Sequence, residues 1–371
     1  MAVVTILGAG YMGAALSFPA LENDHEVRLW GTWLDDPLID AVRIGHEHPR
    51  LEMAMLPALQ TYKHKELAQA LDGADLLICA VTSEGIARVM QSVLMLIDHE
   101  IPFMSATKGL LPGPNGHMDR LSRTVEALAL TSLHYGQIGG PSKAVELCRR
   151  IPTAVVYAGA HAAFAADIMH APYYHITLSE DLPGVEVCAA LKNAFAIGSG
   201  LFDGLEKAGA VTESYNAKSA FFSKAVHEIA RVVEAMGGQP ETAFGLAGAG
   251  DLIVTAVAGR NRTFGEMVGA GTPPDEVAAY MAARNLLTEG YPAVRTGWAL
   301  VSHLAGEGRL DLEDFAFLRA LYAIVYEGAP VKETLFAIDL RERRLKGADG
   351  RVPRWAEIGD REASHHDHSL G

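Results

Sequence analysis

The sequence predicts two successive architectures, an α/β N-terminal part on a mostly parallel sheet and then an all-α C-terminal part. Three observations carry this. Short β-branched or continuously apolar runs alternate with helical patterns as far as Leu178. A glycine-rich turn joins the first such run to the first helix. Beyond Pro183-Gly184 the composition changes and only helical periodicity remains.

Taken in order, Val3-Val4-Thr5-Ile6-Leu7 is the first strand, and it ends in Gly8-Ala9-Gly10-Tyr11-Met12-Gly13. GxGxxG alone is weak. With a strand before it, a helical pattern at Ala14–Leu21 after it and a second strand at Glu26–Trp30, it becomes the signature of a Rossmann dinucleotide-binding domain. The glycines let backbone turn tightly against a pyrophosphate, which a helix N-terminus stabilises. Asp75–Val81 is a continuous apolar run, as in a strand buried on both faces. A helix over Ile86–Ile97 and a strand over Pro102–Ala106 follow, ending at Thr107-Lys108-Gly109. Lys108 thus sits past the carboxyl end of a strand, where open α/β sheets bind ligands. Gly140-Pro141-Ser142 reads as a turn into a helix. A strand at Thr153–Tyr157, a helix near His161–His170 and a strand at Tyr174–Leu178 complete this part.

The helical part opens on GVEVCAALKNAFAIGSGLFDG, Gly184 to Gly204, an apolar helix holding Lys192-Asn193. Burial penalises an ammonium, so Lys192 needs a counter-ion or a task. Further helices are expected over Asn216–Met236, Phe264–Ala270, Asp275–Arg284, Ala293–Ala305 and Leu312–Tyr326. The segment Gly245–Leu252 reads as a glycine-rich loop approaching something closely, with Asp251 emerging from it as the candidate counter-ion. Arg260 and Asn261 open the next helix, where guanidinium, amide and backbone N–H groups suit a phosphate. The expected division is residues 1–182 as dinucleotide-binding domain, 183–345 as helical substrate domain and 346–371 as a polar, disordered tail. The histidines His365, His366 and His368 lie in that tail, and no metal site is expected.

Composition excludes several functions. Across 371 residues, hydrophobic residues make up 49% and the formal net charge is −14, which fits a globular enzyme and not a nucleic-acid binder. Cys79, Cys148 and Cys188 lack metal-ligand spacing and read as buried free thiols. No membrane insertion is expected, and the first residues enter a strand at once, so the expected location is cytoplasmic.

Six motifs in order resemble the NAD(P)-dependent sn-glycerol-3-phosphate dehydrogenase family: Gly8–Gly13, Ser105-Ala106-Thr107-Lys108-Gly109, Gly140-Pro141-Ser142, Ala190-Leu191-Lys192-Asn193, Gly250-Asp251-Leu252 and Gly259-Arg260-Asn261-Arg262. Glu289-Gly290 and Tyr326–Val331 extend the resemblance to about Phe336. It implies reversible hydride transfer between nicotinamide and C2 of dihydroxyacetone phosphate, a small phosphorylated substrate, in a homodimer. Matched by motif, Lys192 resembles the catalytic lysine and Lys108 the second active-site lysine, with Asp251 beside them. Gly140, Ser142, Asp251, Thr255, Arg260 and Asn261, with Lys108, resemble substrate-site positions. Gly8, Gly10, Tyr11, Met12, Gly13, Lys108, Ala144, Arg260 and Glu289 resemble cofactor-site positions.

The chain departs from the family at Tyr11-Met12, Lys143 and His48-Pro49-Arg50, and at Thr32, where many bacterial members carry arginine. Thr32 lies past the second strand, where the adenosine ribose is expected, and Asp35 and Asp36 follow it. Without a basic group there, the expected cofactor is NAD, with NADP as the alternative. Two other functions stay open: a dehydrogenase of the same fold for another phosphorylated polyol or a hydroxy acid, for which Lys143 could hold an extra anionic group, and a non-catalytic nicotinamide sensor.

Overall fold

The computed structural model describes residues 1–341 apart from 98, 129–133, 285 and 287, so the expected tail lies outside the described residues. The α/β part begins β1 (Val3–Leu7), α1 (Tyr11–Glu22), β2 (Glu26–Trp30) and α2 (Asp36–Gly45). Short strands β3 (Glu47–His48), β4 (Met53–Ala54) and β5 (Gln60–Tyr62) follow, then α3 (Leu67–Leu71), β6 (Leu76–Cys79) and α4 (Ser83–Leu94). Next come β7 (Pro102–Ser105), the hairpin β8 (Leu110–Pro112) and β9 (Met118–Arg120), α5 (Leu121–Leu128) and β10 (His134–Gly139). The part ends with α6 (Ala144–Cys148), β11 (Thr153–Gly159), α7 (Ala162–Met169) and β12 (Tyr174–Ser179).

Beyond β12 the described chain is helical, as the periodicity predicts: α8 (Leu182–Lys207), α9 (Tyr215–Ala235), α10 (Asp251–Val257), α11 (Arg260–Gly269), α12 (Pro274–Ala282), α13 (Gly290–Gly306), α14 (Ala316–Tyr326) and α15 (Val331–Phe336).

The main sheet has the order β12-β11-β10-β7-β6-β1-β2-β5. Each neighbouring pair is parallel except β10 with β11. Its central strands β1 and β6 are buried on both faces, which is why they read as unbroken apolar runs. Strand order reverses between them, so a crevice opens beyond their carboxyl ends, beside the glycine turn. There Gly8 has φ +105°, and a Cβ on Gly13 would stand 1.9 Å from the Gly8 carbonyl oxygen. Only glycine fits either position.

α8 organises the helical part. It is long and apolar enough to cross a membrane, yet 94% of its apolar window is buried inside the protein. Asp181 caps its start, accepting from the backbone N–H of Gly184 and Gln239 and from the Thr242 hydroxyl. Against α8 lies α11, and the two touch backbone to backbone. A Cβ on Gly200 would come within 2.0 Å of the Arg262 carbonyl oxygen, and one on Gly265 within 2.1 Å of that of Ile197. Gly204 and Gly269 repeat the contact one turn further on. Two Gly-x-x-x-Gly faces thus set the spacing of these helices, and α11 carries Arg260 and Asn261 at its start.

The expected Gly245–Leu252 loop is corrected. Leu246–Gly250 forms a π-helical turn running directly into α10, so Asp251 is a helical residue. The close approach is to the chain itself, since a Cβ on Gly248 would lie 2.0 Å from the Ala243 carbonyl oxygen. The expected helix Leu312–Tyr326 is also broken, into a 3₁₀ turn over Leu312–Phe315 and then α14. The buried Glu228 carboxylate accepts from the Phe317 and Leu318 N–H groups, starting α14 afresh from another helix. The three cysteines are buried free thiols, as expected.

Candidate active site

α8 carries Lys192 into the protein interior, where the residue is only 6% exposed. α10 opens with Asp251, which is 1% exposed. The Lys192 ammonium donates to Asp251 Oδ1 at 2.6 Å and to the Thr255 hydroxyl at 2.8 Å. One turn of α10 separates Asp251 from Thr255, whose hydroxyl donates back to the Asp251 carbonyl at 2.8 Å. The other carboxylate oxygen, Oδ2, takes the Lys108 ammonium at 2.6 Å. Lys108 is fixed through its neighbour: the Thr107 hydroxyl donates to the Val81 carbonyl, and the Gln137 amide donates to the Thr107 carbonyl. The expected counter-ion is therefore found, and one carboxylate serves two lysines.

The electrostatics of the three differ. Burial drives the Lys192 pKa down, the Asp251 carboxylate opposes this and the Lys108 charge adds to it, leaving Lys192 at about 8. Burial also works against the Lys108 ammonium, but Asp251, its hydrogen bond and Glu289 outweigh it and hold that pKa up. For Asp251, burial opposes the charge, and the two ammonium groups overcome it and keep the carboxyl below its ordinary value. Of the two lysines, Lys192 is the one able to exchange a proton near neutral pH.

Around this centre the structure assembles most of the expected residues. Asn193, next to Lys192, donates to the Glu289 carboxylate at 2.8 Å and accepts from the Asn261 amide at 2.9 Å. Asn261 in turn accepts from the Gly290 N–H at the start of α13. The Asn261 amide thus ties α8, α11 and α13 together. Arg260 is exposed, has no carboxylate partner among the described residues, and lies with Cζ 6.0 Å over the Tyr11 ring, joining α11 to the glycine turn. The Ser142 hydroxyl lies 3.9 Å from the Met12 sulfur, and Gly140 (φ +101°) and Ala144 flank it at the end of β10 and the start of α6.

Thr32, past β2, is tied to Asp35. Its hydroxyl donates to Asp35 Oδ2 at 2.8 Å and its N–H to the same oxygen at 3.0 Å, in a closed local turn. Arg28 and Arg43 are turned away, onto Glu26 and Glu66. The basic group beside this turn is instead Arg88 of α4, stacked 3.6 Å over the Trp33 ring. Sequence reading missed Arg88 because nothing links α4 to the end of β2 except the fold. Asn193, noted in the sequence only beside Lys192, gains its place as a tether from α8 to Glu289 and Asn261 through the fold. Lys143 is half-exposed and faces Glu146 at 3.5 Å, leaving the extra-anion reading without support.

The crevice suits a dinucleotide: a Cβ at Gly10 would meet nothing within 4 Å, and the N-terminus of the twelve-residue α1 opens onto that space. A dinucleotide crevice beside a buried lysine that can hand over a proton is the arrangement of a nicotinamide-dependent dehydrogenase.

Comparison with known proteins narrows the class. Residues 3–165 match the family model described as the NAD-dependent glycerol-3-phosphate dehydrogenase N-terminus, and residues 181–336 match its C-terminus. The chain belongs to that family, and is an oxidoreductase that uses NAD or NADP. It is 33% identical to the NADP(+)-dependent glycerol-3-phosphate dehydrogenase of Archaeoglobus fulgidus, over 91% of this chain and 98% of the relative. It is 32% identical to the glycerol-3-phosphate dehydrogenase [NAD(P)+] of Bacillus pumilus, over 92% and 95%. Among solved structures, glycerol-3-phosphate dehydrogenase from Coxiella burnetii superposes with a TM-score of 0.76 at 27% identity, covering 90% of this chain and 98% of that one.

Proposed function

We propose that the chain interconverts sn-glycerol 3-phosphate and dihydroxyacetone phosphate, with Lys192 as the acid that protonates the C2 oxygen during reduction. The observation that carries this is the buried Asp251 carboxylate bridging Lys192 and Lys108 at 2.6 Å each. When bound, the nicotinamide dinucleotide supplies or accepts the hydride. Gly8, Gly10, Tyr11, Met12 and Gly13 would hold its pyrophosphate side, with Ala144, Arg260 and Glu289 nearer the reacting end. Lys192, held by Asp251 and Thr255, stabilises alkoxide charge on the substrate oxygen and gives up its proton there. Lys108 keeps its charge and adds a second positive group beside that oxygen. Arg260 and the first N–H groups of α11 take the phosphate, while Gly140 and Ser142 close the site opposite them.

Several further readings go with this one. Residues 1–182 are the dinucleotide-binding domain and 183–345 the substrate domain. The working form is a homodimer in the cytoplasm, which sedimentation and fractionation test. NADP stands beside NAD, because the A. fulgidus relative is named for NADP(+) and Arg88 brings a guanidinium to the turn after β2.

The test is a steady-state screen of NADH and NADPH against phosphorylated and unphosphorylated ketones. Dihydroxyacetone phosphate is expected to be reduced far faster than dihydroxyacetone. Arg260→Ala is expected to cost about 2 kcal/mol in kcat/KM for the phosphorylated ketone only, the size of a charge-assisted contact. Equal losses on both ketones would remove Arg260 from the phosphate site. Cofactor binding with no ketone reduced would favour the sensor.

A further inference from the structure

The glycine turn is held from behind by a residue that the dinucleotide crevice does not itself contain. After α2 the chain makes a small excursion through β3 and β4, and His48 points from it into the interior with no exposed surface. Leu51 and Met55 of the same excursion pack in one apolar cluster with Ala9. His48 Nε2 lies 2.9 Å from the Ala9 carbonyl oxygen. A carbonyl only accepts, so Nε2 carries the hydrogen and donates it. The other ring nitrogen, Nδ1, accepts from the Leu51 N–H at 3.2 Å, which fits the neutral ring that burial favours. Both nitrogens are therefore committed and the ring has one orientation.

Peptide geometry turns this into a statement about the cofactor. In a trans peptide the C=O of one residue and the N–H of the next point in opposite directions. Drawing the Ala9 carbonyl inward, onto His48, therefore sends the Gly10 N–H outward. Gly10 is where the turn faces open space, and α1 begins at the following residue, with its unsatisfied first-turn N–H groups. The Ala9 N–H also leans on a side chain, Asp35 Oδ2 at 3.4 Å. The residue between the two glycines is thus gripped at its carbonyl, where one peptide flip would otherwise aim an oxygen at the pyrophosphate.

We propose that His48 is a positioning residue of the dinucleotide site, holding the Ala9 carbonyl inward so that the Gly10 N–H faces the cofactor's pyrophosphate. This rests on the reading of the crevice as the NAD(P) site.

Two substitutions separate the role from mere packing. Asn ends where Nδ1 is, so His48→Asn keeps an acceptor for Leu51 but drops the donor to Ala9. Gln reaches as far as Nε2, so His48→Gln keeps that donor. Binding of ADP-ribose, which carries the pyrophosphate and no nicotinamide, is measured by calorimetry, alongside NADH binding by fluorescence and Tm for each variant. His48→Asn is expected to weaken both ligands about three- to tenfold, the worth of one hydrogen bond, with kcat at saturating cofactor within about twofold of wild type. His48→Gln is expected to bind within about twofold of wild type even if its Tm falls as far. Wild-type affinity in His48→Asn, or equal losses in both variants, overturns the proposal. A wild-type protein that binds neither ligand overturns the crevice reading together with it. A wild-type protein that binds both but reduces no ketone overturns only the proposed reaction.

Discussion

With Lys192, pushed down to about 8, as the proposed acid, the pH dependence of the two reaction directions is expected to be opposite. Reduction of the ketone needs the ammonium, which is present below that value and lost above it. kcat/KM for reduction is expected to be level below about pH 8 and to fall about tenfold per unit above it, while oxidation rises up to about pH 8 and is level above it. Lys192→Met is expected to remove this limb and to lower kcat by on the order of 10²–10³ without loss of NADH binding. A retained limb would assign it to another group. Asp251→Asn removes the largest influence that raises the Lys192 pKa and leaves only Glu289 against burial and the Lys108 charge, which both lower it. The limb is expected to move to lower pH in that variant, and a pH–rate profile reads the shift directly. At this scale the sequence was most legible where a charge was costly. A lysine in an apolar helix and an acid before Leu-Ile-Val had to find each other. The Thr32–Asp35 contact was not legible, because a local turn closed by a partner three residues on leaves no long-range signal.

Elements were legible where their pattern was strong and local. β1, β6, α8 and α9 lie close to their expected bounds, because burial on all sides or on one face dictates their composition. β10, with the sequence HYGQIG, has little intrinsic preference for a strand and is made one by its neighbours β7 and β11. The π turn before α10 hid for a similar reason, its glycines serving contact with Ala243 and Pro141 rather than a loop. The α8–α11 crossing was equally invisible, because two Gly-x-x-x-Gly pairs 60 residues or so apart mean nothing until the helices meet. It gives a sharp prediction. In Gly265→Ala the added methyl has only the Ile197 carbonyl to enter, so the helices must part. Denaturant unfolding is expected to show a loss of about 1–3 kcal/mol, the cost of overpacking, with a raised KM for the phosphorylated ketone as Arg260 moves with α11. Unchanged stability and KM would mean that the crossing has slack.

For the whole molecule, Met1–Ile338 forms one compact unit although two folds share it. The largest apolar cluster explains this, since it takes Leu110, Val156 and Ala158 from the α/β part into the core around α8. Thermal or urea unfolding is expected to be a single transition, with far-UV circular dichroism and tryptophan fluorescence coincident; Trp30 and Trp33 report on one part and Trp298 on the other. Two separated transitions would show that the parts hold themselves up independently. The glycine crossing of α8 and α11 has a last consequence, in time rather than in energy. Where helices meet through side chains, rotamer changes let solvent in by degrees. Where they meet through backbone, no intermediate opening exists, and amide protons around Ile197–Leu201 and Phe264–Gly269 are expected to exchange with deuterium only when the whole unit comes apart. The slowest-exchanging amides in the protein should therefore begin five residues along α8 from Lys192, so that the proposed reacting centre is mounted on its least yielding part.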